Sequence, residues 1–247
     1  MTVHFIGAGP GAADLLTVRA TRLLAAAPVC LYAGTYVTAD ILDHCPAGAE
    51  LIDTAGLTLD EITAHLVRAH HAGHDVARLC SGDPSLYSAL HEQAARLDAA
   101  GVPWDVTPGV PAFAAAAARL GRELTVPEVA QSVVLTRAQA RSTRMPAGEE
   151  LERFAATGAT LVLHLAITRT RELAAHLTPF YGPGCPAVVV SRVTQADELV
   201  LRGTLGTIGD LAERAGLRQA AVILVGPALG GADGAAESHL YAADRVR

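Results

Sequence analysis

The chain has 247 residues, 51% of them hydrophobic and only 4% aromatic, which suits one large domain or two smaller ones with a substantial core, so disorder is not the default reading. Its formal net charge of −6 argues against general nucleic-acid binding, which needs Lys and Arg to neutralise phosphates. No basic, hydrophobic leader opens the sequence and no run of about 18 apolar residues suggests a membrane span, so a soluble cytoplasmic protein without a membrane or nucleic-acid partner is expected.

In chain order, Val3–Ile6 is a short apolar strand followed by Gly7-Ala8-Gly9-Pro10-Gly11. Leu15, Val18, Leu23 and Leu24 recur at helical spacing until Pro28. Val29–Tyr32 is a second strand, and Leu59–Ala72 is an amphipathic helix ending near Gly73. Asp75–Leu79 is the next strand, with Cys80-Ser81-Gly82-Asp83-Pro84 at its C-terminal end. Leu86–Ala100 reads as a helix and Trp104–Val106 as a strand before Thr107-Pro108-Gly109. This alternation predicts an α/β lobe: a mostly parallel sheet with helices on both faces.

Ala112–Leu120 is an alanine-rich helix, after which the pattern changes. Strands are predicted at Ser132–Thr136, Thr160–Leu165, Ala187–Ser191, Leu199–Thr204 and Ala220–Val225. Helices are predicted at Glu149–Ala156, Thr170–Leu177 and Ile208–Ala215. Short connections permit antiparallel pairing, so the second half is expected to be a mixed α/β sheet. The join is placed near Leu120–Pro127, giving domains 1–120 and 121–247.

Gly7–Ala12 fits the dinucleotide fingerprint G-x-G-x-x-G/A, but two features oppose that use. Pro10 removes an N–H from a loop that would have to donate them to pyrophosphate. No acid closes Val29–Tyr32 to hold a ribose. A tight strand-to-helix turn is the better reading. Cys30, Cys45, Cys80 and Cys185 form no C-x-x-C pair and read as core or loop thiols. His70, His71 and His74 close a predicted helix without a supporting Cys or carboxylate cluster, so no metal is expected.

Taken together, these segments resemble the tetrapyrrole methyltransferase family over nearly the whole chain. The shared motifs are the G-x-G-P-G turn at Gly7–Gly11, the Asp-Leu-Leu-Thr stretch at Asp14–Thr17 and the Gly82-Asp83-Pro84 loop. Thr107-Pro108-Gly109-Val110 and the strand Thr160–Leu165 complete the set. Within the family, Leu31–Gly34, Arg78–Tyr87 and above all Glu123–Arg137 resemble the branch acting at C-11 of a precorrin-4-type macrocycle in the cobalamin pathway. The sequence departs from the family pattern at Ala12-Ala13, Cys80 and Pro111.

The resemblance implies two α/β lobes with the active site in the cleft between them, S-adenosylmethionine as co-substrate, a tetrapyrrole as methyl acceptor and a homodimer. It places the cofactor against Pro10, Ser81, Gly82, Asp83 and Leu86 on one side, and Pro111, Ala112, Leu165 and Val193 on the other. Asp83, the polar residue to test first for catalysis, pairs with the cofactor's ammonium or caps a helix beginning near Leu86. Leu86 and Leu165 are equally ordinary core residues.

For the macrocycle's many carboxylates the candidates are Arg137, Arg141 and Arg144, which close over a trough or belong to a solvated loop. Tyr32 and Tyr87 line its floor or merely pack at element ends. No triad is visible, and none is needed for this chemistry. Other macrocycles of the same family are the alternative substrates, and a dinucleotide-binding module is the more remote one.

Overall fold

The computed structural model describes residues 1–138 and 144–230, which group into two compact units. The first comprises Met1–Ala115 together with Thr194–Ala196; the second begins at Ala116.

In the first unit, β1 (Val3–Gly7), β2 (Val29–Tyr32), β3 (Glu50–Asp53), β4 (Val76–Cys80) and β5 (Trp104–Thr107) form one sheet in the order β3-β2-β4-β1-β5. Every pairing in it is parallel. Because strand side chains alternate, each central strand feeds two cores. Val3, Phe5, Val29, Leu31, Val76 and Cys80 pack on one face against Ile62, Leu66 and Ala69 of α3 (Leu59–His71) and Leu97 of α4 (Leu90–Ala99). Ile6, Cys30, Ala77 and Leu79 pack on the other against Ala20 and Leu24 of α1 (Val18–Ala26) and Ile41 of α2 (Ala39–Leu42). Burying a Leu such as Leu66, which is 0% exposed, contributes about 1.5–3 kcal/mol. Helix starts are fixed locally: the Thr17 hydroxyl accepts from Ala20 N, and Thr58 and Glu61 form a reciprocal capping box on α3.

Two features of this unit differ from the sequence expectation. β3 was not foreseen, because it is an edge strand whose Glu50, Leu51 and Asp53 are exposed, leaving no apolar pattern. The helix expected from Leu86 starts at Leu90 instead: Tyr87 and Ala89 both have φ 54, a left-handed backbone that interrupts helix growth. Asp83 therefore caps no helix there.

The second unit holds β6 (Val133–Arg137), β7 (Thr160–His164), β8 (Pro186–Ser191), β9 (Leu199–Thr204) and β10 (Ala221–Val225), in the order β6-β7-β10-β8-β9. β6 and β7 are parallel and the remaining pairs antiparallel, so the sheet is mixed. Leu161, Leu163, Ala187, Val189, Ile223 and Val225 form one buried face. Onto it pack α6 (Leu151–Ala155), α7 (Thr170–Tyr181) and α8 (Ile208–Arg214). α7 runs past the expected end at Leu177 and includes Pro179, whose missing N–H costs the helix one backbone bond near its end without stopping it there. Helix α5 (Ala112–Leu120) spans the boundary between the units. Among the described residues no helix is long and apolar enough to cross a membrane.

Candidate functional site

In the first unit the helices after β1 and β4 lie on opposite faces of the sheet, although the two strands are neighbours. Such a reversal opens a crevice beyond the carboxyl ends of the strands, where open α/β sheets bind ligands. The loops carrying the sequence motifs meet there. Gly9 and Gly82 exchange both backbone hydrogen bonds, at 3.1 and 2.8 Å. Ala8 N donates to Cys80 O at 2.8 Å. Behind them a β-carbon on Gly109 would stand 2.8 Å from the Cα of Gly7, so three backbones touch where only glycine fits.

Asp83 ties these loops together. One carboxylate oxygen accepts from Ser85 N at 2.8 Å and from the Ser85 hydroxyl; the other accepts from Gly109 N at 2.8 Å. Partial burial pushes its pKa up, but the Ser85 and Gly109 hydrogen bonds outweigh that and hold it below the ordinary carboxylate range. It is thus ionised at neutral pH and a weak general base.

Gly82, at φ 66, faces the Pro111–Ala112 backbone: a β-carbon there would lie 3.5 Å from Pro111 Cα and 3.7 Å from Ala112 N. The structure therefore brings Pro10, Ser81, Gly82, Asp83, Pro111 and Ala112 to one edge, with half-buried Leu86 two residues beyond the Asp83-Pro84 turn. Ser81 is exposed and Pro10 buried. Tyr32 ends β2 at the same edge, and Tyr87 is 47% exposed.

The glycine turn is poorly equipped to cradle a pyrophosphate. Pro10 lacks an N–H, and those of Ala8, Gly9 and Ala12 are already taken by Cys80 O, Gly82 O and the Thr194 hydroxyl. What the edge offers instead is loop backbone, apolar carbon from Leu86 and Pro111, and an exposed serine. That donor set fits a phosphate-free nucleoside such as S-adenosylmethionine. Cys80 supplies no reactive thiolate, since burial pushes its pKa up to about 11.

In the second unit β6, β7 and β8 all run the same way, so their carboxyl ends share one edge of the sheet. Arg137 stands in register with His164, and Leu165 follows with φ 52 and 66% exposure. At the end of β8, Arg192 has φ 46 and its N–H donates to Ala220 O, itself a residue with φ 54; Val193 beside it is buried. Leu165, Arg192 and Ala220 thus place three non-glycine residues in left-handed backbone at one edge, a conformation that persists where the surroundings over-determine it. Leu165 and Val193 both belong to this edge.

Arg137 and Arg144 are brought together: an Arg137 guanidinium N–H donates to Arg144 O at 3.4 Å. Both line a cavity of about 570 Å³ with Arg169 and His176, and with Glu149, Glu150 and Glu152, so its walls carry both signs of charge. Arg141 lies outside the described residues. Among the described residues no group of three or more His, Cys, Asp or Glu is placed to hold a metal ion.

Sequence reasoning missed Gly109 as a packing partner of Gly7 and gave no role to Arg78. Arg78 had a legible signal, a charge inside the apolar strand run Val76–Cys80. Thr194 and Gln195, which contact Ala12 N and Pro10 O, carried no local signal at all.

The family profile described as Tetrapyrrole (Corrin/Porphyrin) Methylases matches residues 2–209. A precorrin-4 C(11)-methyltransferase of Rhodococcus erythropolis is 58% identical over 247 residues, 100% of this chain and 99% of the relative. The X-ray structure of a cobalt precorrin-4 methyltransferase matches with a TM-score of 0.89 and 38% identity, over 92% of this chain and 95% of that one. A uroporphyrin-III C-methyltransferase from Thermus thermophilus, complexed with S-adenyl homocysteine, matches at 0.78 and 28% identity over 93% of each chain. With the family profile matching residues 2–209 and a relative 58% identical along the whole chain, the chain belongs to the tetrapyrrole (corrin/porphyrin) methylase family.

Proposed function

We propose that this protein is an S-adenosylmethionine-dependent C-methyltransferase of cobalamin biosynthesis that methylates C-11 of precorrin-4 to give precorrin-5. The observation carrying this reading is the 58% identity, along the full chain, to a relative named for that reaction. The lower identity of 38% to the cobalt-precorrin-4 enzyme favours the metal-free macrocycle as substrate.

We assign Pro10, Ser81, Gly82, Asp83, Leu86, Pro111 and Ala112 to the cofactor, with Leu165 and Val193 as further contacts. Tyr32 and Tyr87 are assigned to the face of the macrocycle, and Arg137 and Arg144, with Arg141, to its carboxylates. A homodimer working in the cytoplasm without a metal completes the proposal.

S-adenosylmethionine supplies an electrophilic methyl on a sulfonium. An enamine-like carbon of the reduced macrocycle provides the electron pair for the new carbon–carbon bond, and the pair of the broken sulfur–methyl bond stays on sulfur. The residues of this chain hold the three atoms in line and keep water out. Alignment of this kind accounts for up to about 7–11 kcal/mol of barrier reduction. Asp83 serves here by fixing the Gly82 and Gly109 loops rather than by moving a proton.

The test is incubation with S-adenosylmethionine and either precorrin-4 or cobalt-precorrin-4, read by mass spectrometry. A gain of one methyl with precorrin-4 is expected. Transfer only to the cobalt form, or to neither, would overturn the substrate assignment.

A further inference from the structure

Arg78 sits inside the parallel sheet, 7% exposed, with no carboxylate among its hydrogen-bond partners. A buried guanidinium without a counter-charge is costly, so its retention needs a reason. Its donors reach two separate loops. One nitrogen donates to the Thr54 hydroxyl at 3.4 Å and to Leu79 O at 3.2 Å. Thr54 in turn donates its N–H and its hydroxyl to Tyr32 O, at 2.7 and 3.0 Å.

The Nε of Arg78 donates to the Gln93 side-chain oxygen at 2.9 Å, and Gln93 is 1% exposed. Arginine has only donors, so this contact decides which way the Gln93 amide points. The Gln93 amide nitrogen then faces Ala89 O at 3.1 Å and Ser88 O at 3.4 Å. Those carbonyls belong to the turn in which Tyr87 and Ala89 both have φ 54. Non-glycine residues stay in such a backbone only when their surroundings over-determine it.

We infer that Arg78 and Gln93 are positioning residues, a buried relay that pins the Tyr87–Ala89 turn and so presents Tyr87 to the macrocycle. The inference rests on the proposed role of Tyr87 in the substrate site. Through Thr54 the same guanidinium steadies the end of β2 at Tyr32, so one buried group sets both tyrosines.

Gln93→Glu separates this role from fold support. The new carboxylate still accepts from Arg78 and compensates its charge, but it has no N–H to give Ser88 O and Ala89 O. Amide hydrogen exchange at residues 85–90 is expected to quicken about tenfold while the sheet stays protected. The KM for precorrin-4 is expected to rise about tenfold, with kcat and S-adenosylhomocysteine affinity changing by less than about twofold. Arg78→Gln, which removes the buried charge and frees the Gln93 amide to rotate, is expected to give the same turn-specific exchange. Unchanged exchange in the turn with either variant, or acceleration spread evenly through the sheet, would overturn the inference. If the wild-type protein fails to methylate precorrin-4, the substrate reading falls, while the exchange experiment still decides the relay.

Discussion

Gly109 and Gly7 touch through their backbones: a β-carbon on Gly109 would stand 2.8 Å from Gly7 Cα, a distance real β-carbons do not adopt. The neighbours are main chain, not a flexible side-chain end, so neither loop can yield cheaply. Gly109→Ala is expected to destabilise the protein by about 1–3 kcal/mol, as overpacking does. Urea unfolding reads the loss, and S-adenosylhomocysteine calorimetry should show weaker binding of the survivor. Gly56→Ala, with nothing within 4 Å of the new carbon, is the control and should be nearly neutral.

Asp83→Ala is expected to lower S-adenosylhomocysteine affinity while the far-UV circular dichroism stays native. The cause is the loss of the bridge from Ser85 N to Gly109 N, not of a base. Unchanged affinity would remove this loop from the cofactor site.

The same carboxylate makes a pH prediction. Its folded pKa is depressed, so the unfolded chain binds the proton more readily and stability rises with pH through this group. The contribution is complete above the unfolded carboxylate value of about 3.9 and is lost as pH falls through the lower folded value. The stability gap between wild type and Asp83→Asn should therefore be flat near neutrality and close in acid. A gap that stays constant down through the acid range would contradict this.

Leu165 combines 66% exposure with φ 52. Leu165→Gly removes little buried surface and relieves about 1–2 kcal/mol of left-handed strain, so the melting temperature should hold or rise. If the side chain lines the cofactor site as proposed, S-adenosylhomocysteine binding should weaken in the same variant. Stability gained without any loss of binding would mark Leu165 as unrelated to the site.

Arg137→Ala and Arg144→Ala are each expected to raise the KM for precorrin-4 about tenfold with kcat nearly unchanged, the signature of lost uniform binding to substrate carboxylates. Steady-state kinetics over both variants checks it. A fall in kcat at constant KM would assign them elsewhere.

Much of this was legible in the sequence, for physical reasons. Strands buried on both faces appear as apolar runs, unbroken at Val29–Tyr32 and interrupted by Arg78 at Val76–Cys80, and the helices between them carry caps such as Thr58 with Glu61. What escaped was whatever depends on distant partners. β3 is an exposed edge strand with no pattern of its own. The turn at Tyr87–Ala89 looks helical locally and is held otherwise by Gln93, reached from Arg78. The contact of Thr194 with Ala12 joins residues 182 positions apart, which no local spacing announces.

The central claim is transfer of a methyl group to one carbon of one macrocycle. Carbon-13 NMR of the product from precorrin-4 and S-adenosylmethionine labelled in the methyl group tests it most directly. A single enriched methyl bonded to C-11, formed without added cobalt, is the predicted result. Label at any other ring carbon, or no label in the macrocycle, would contradict the account.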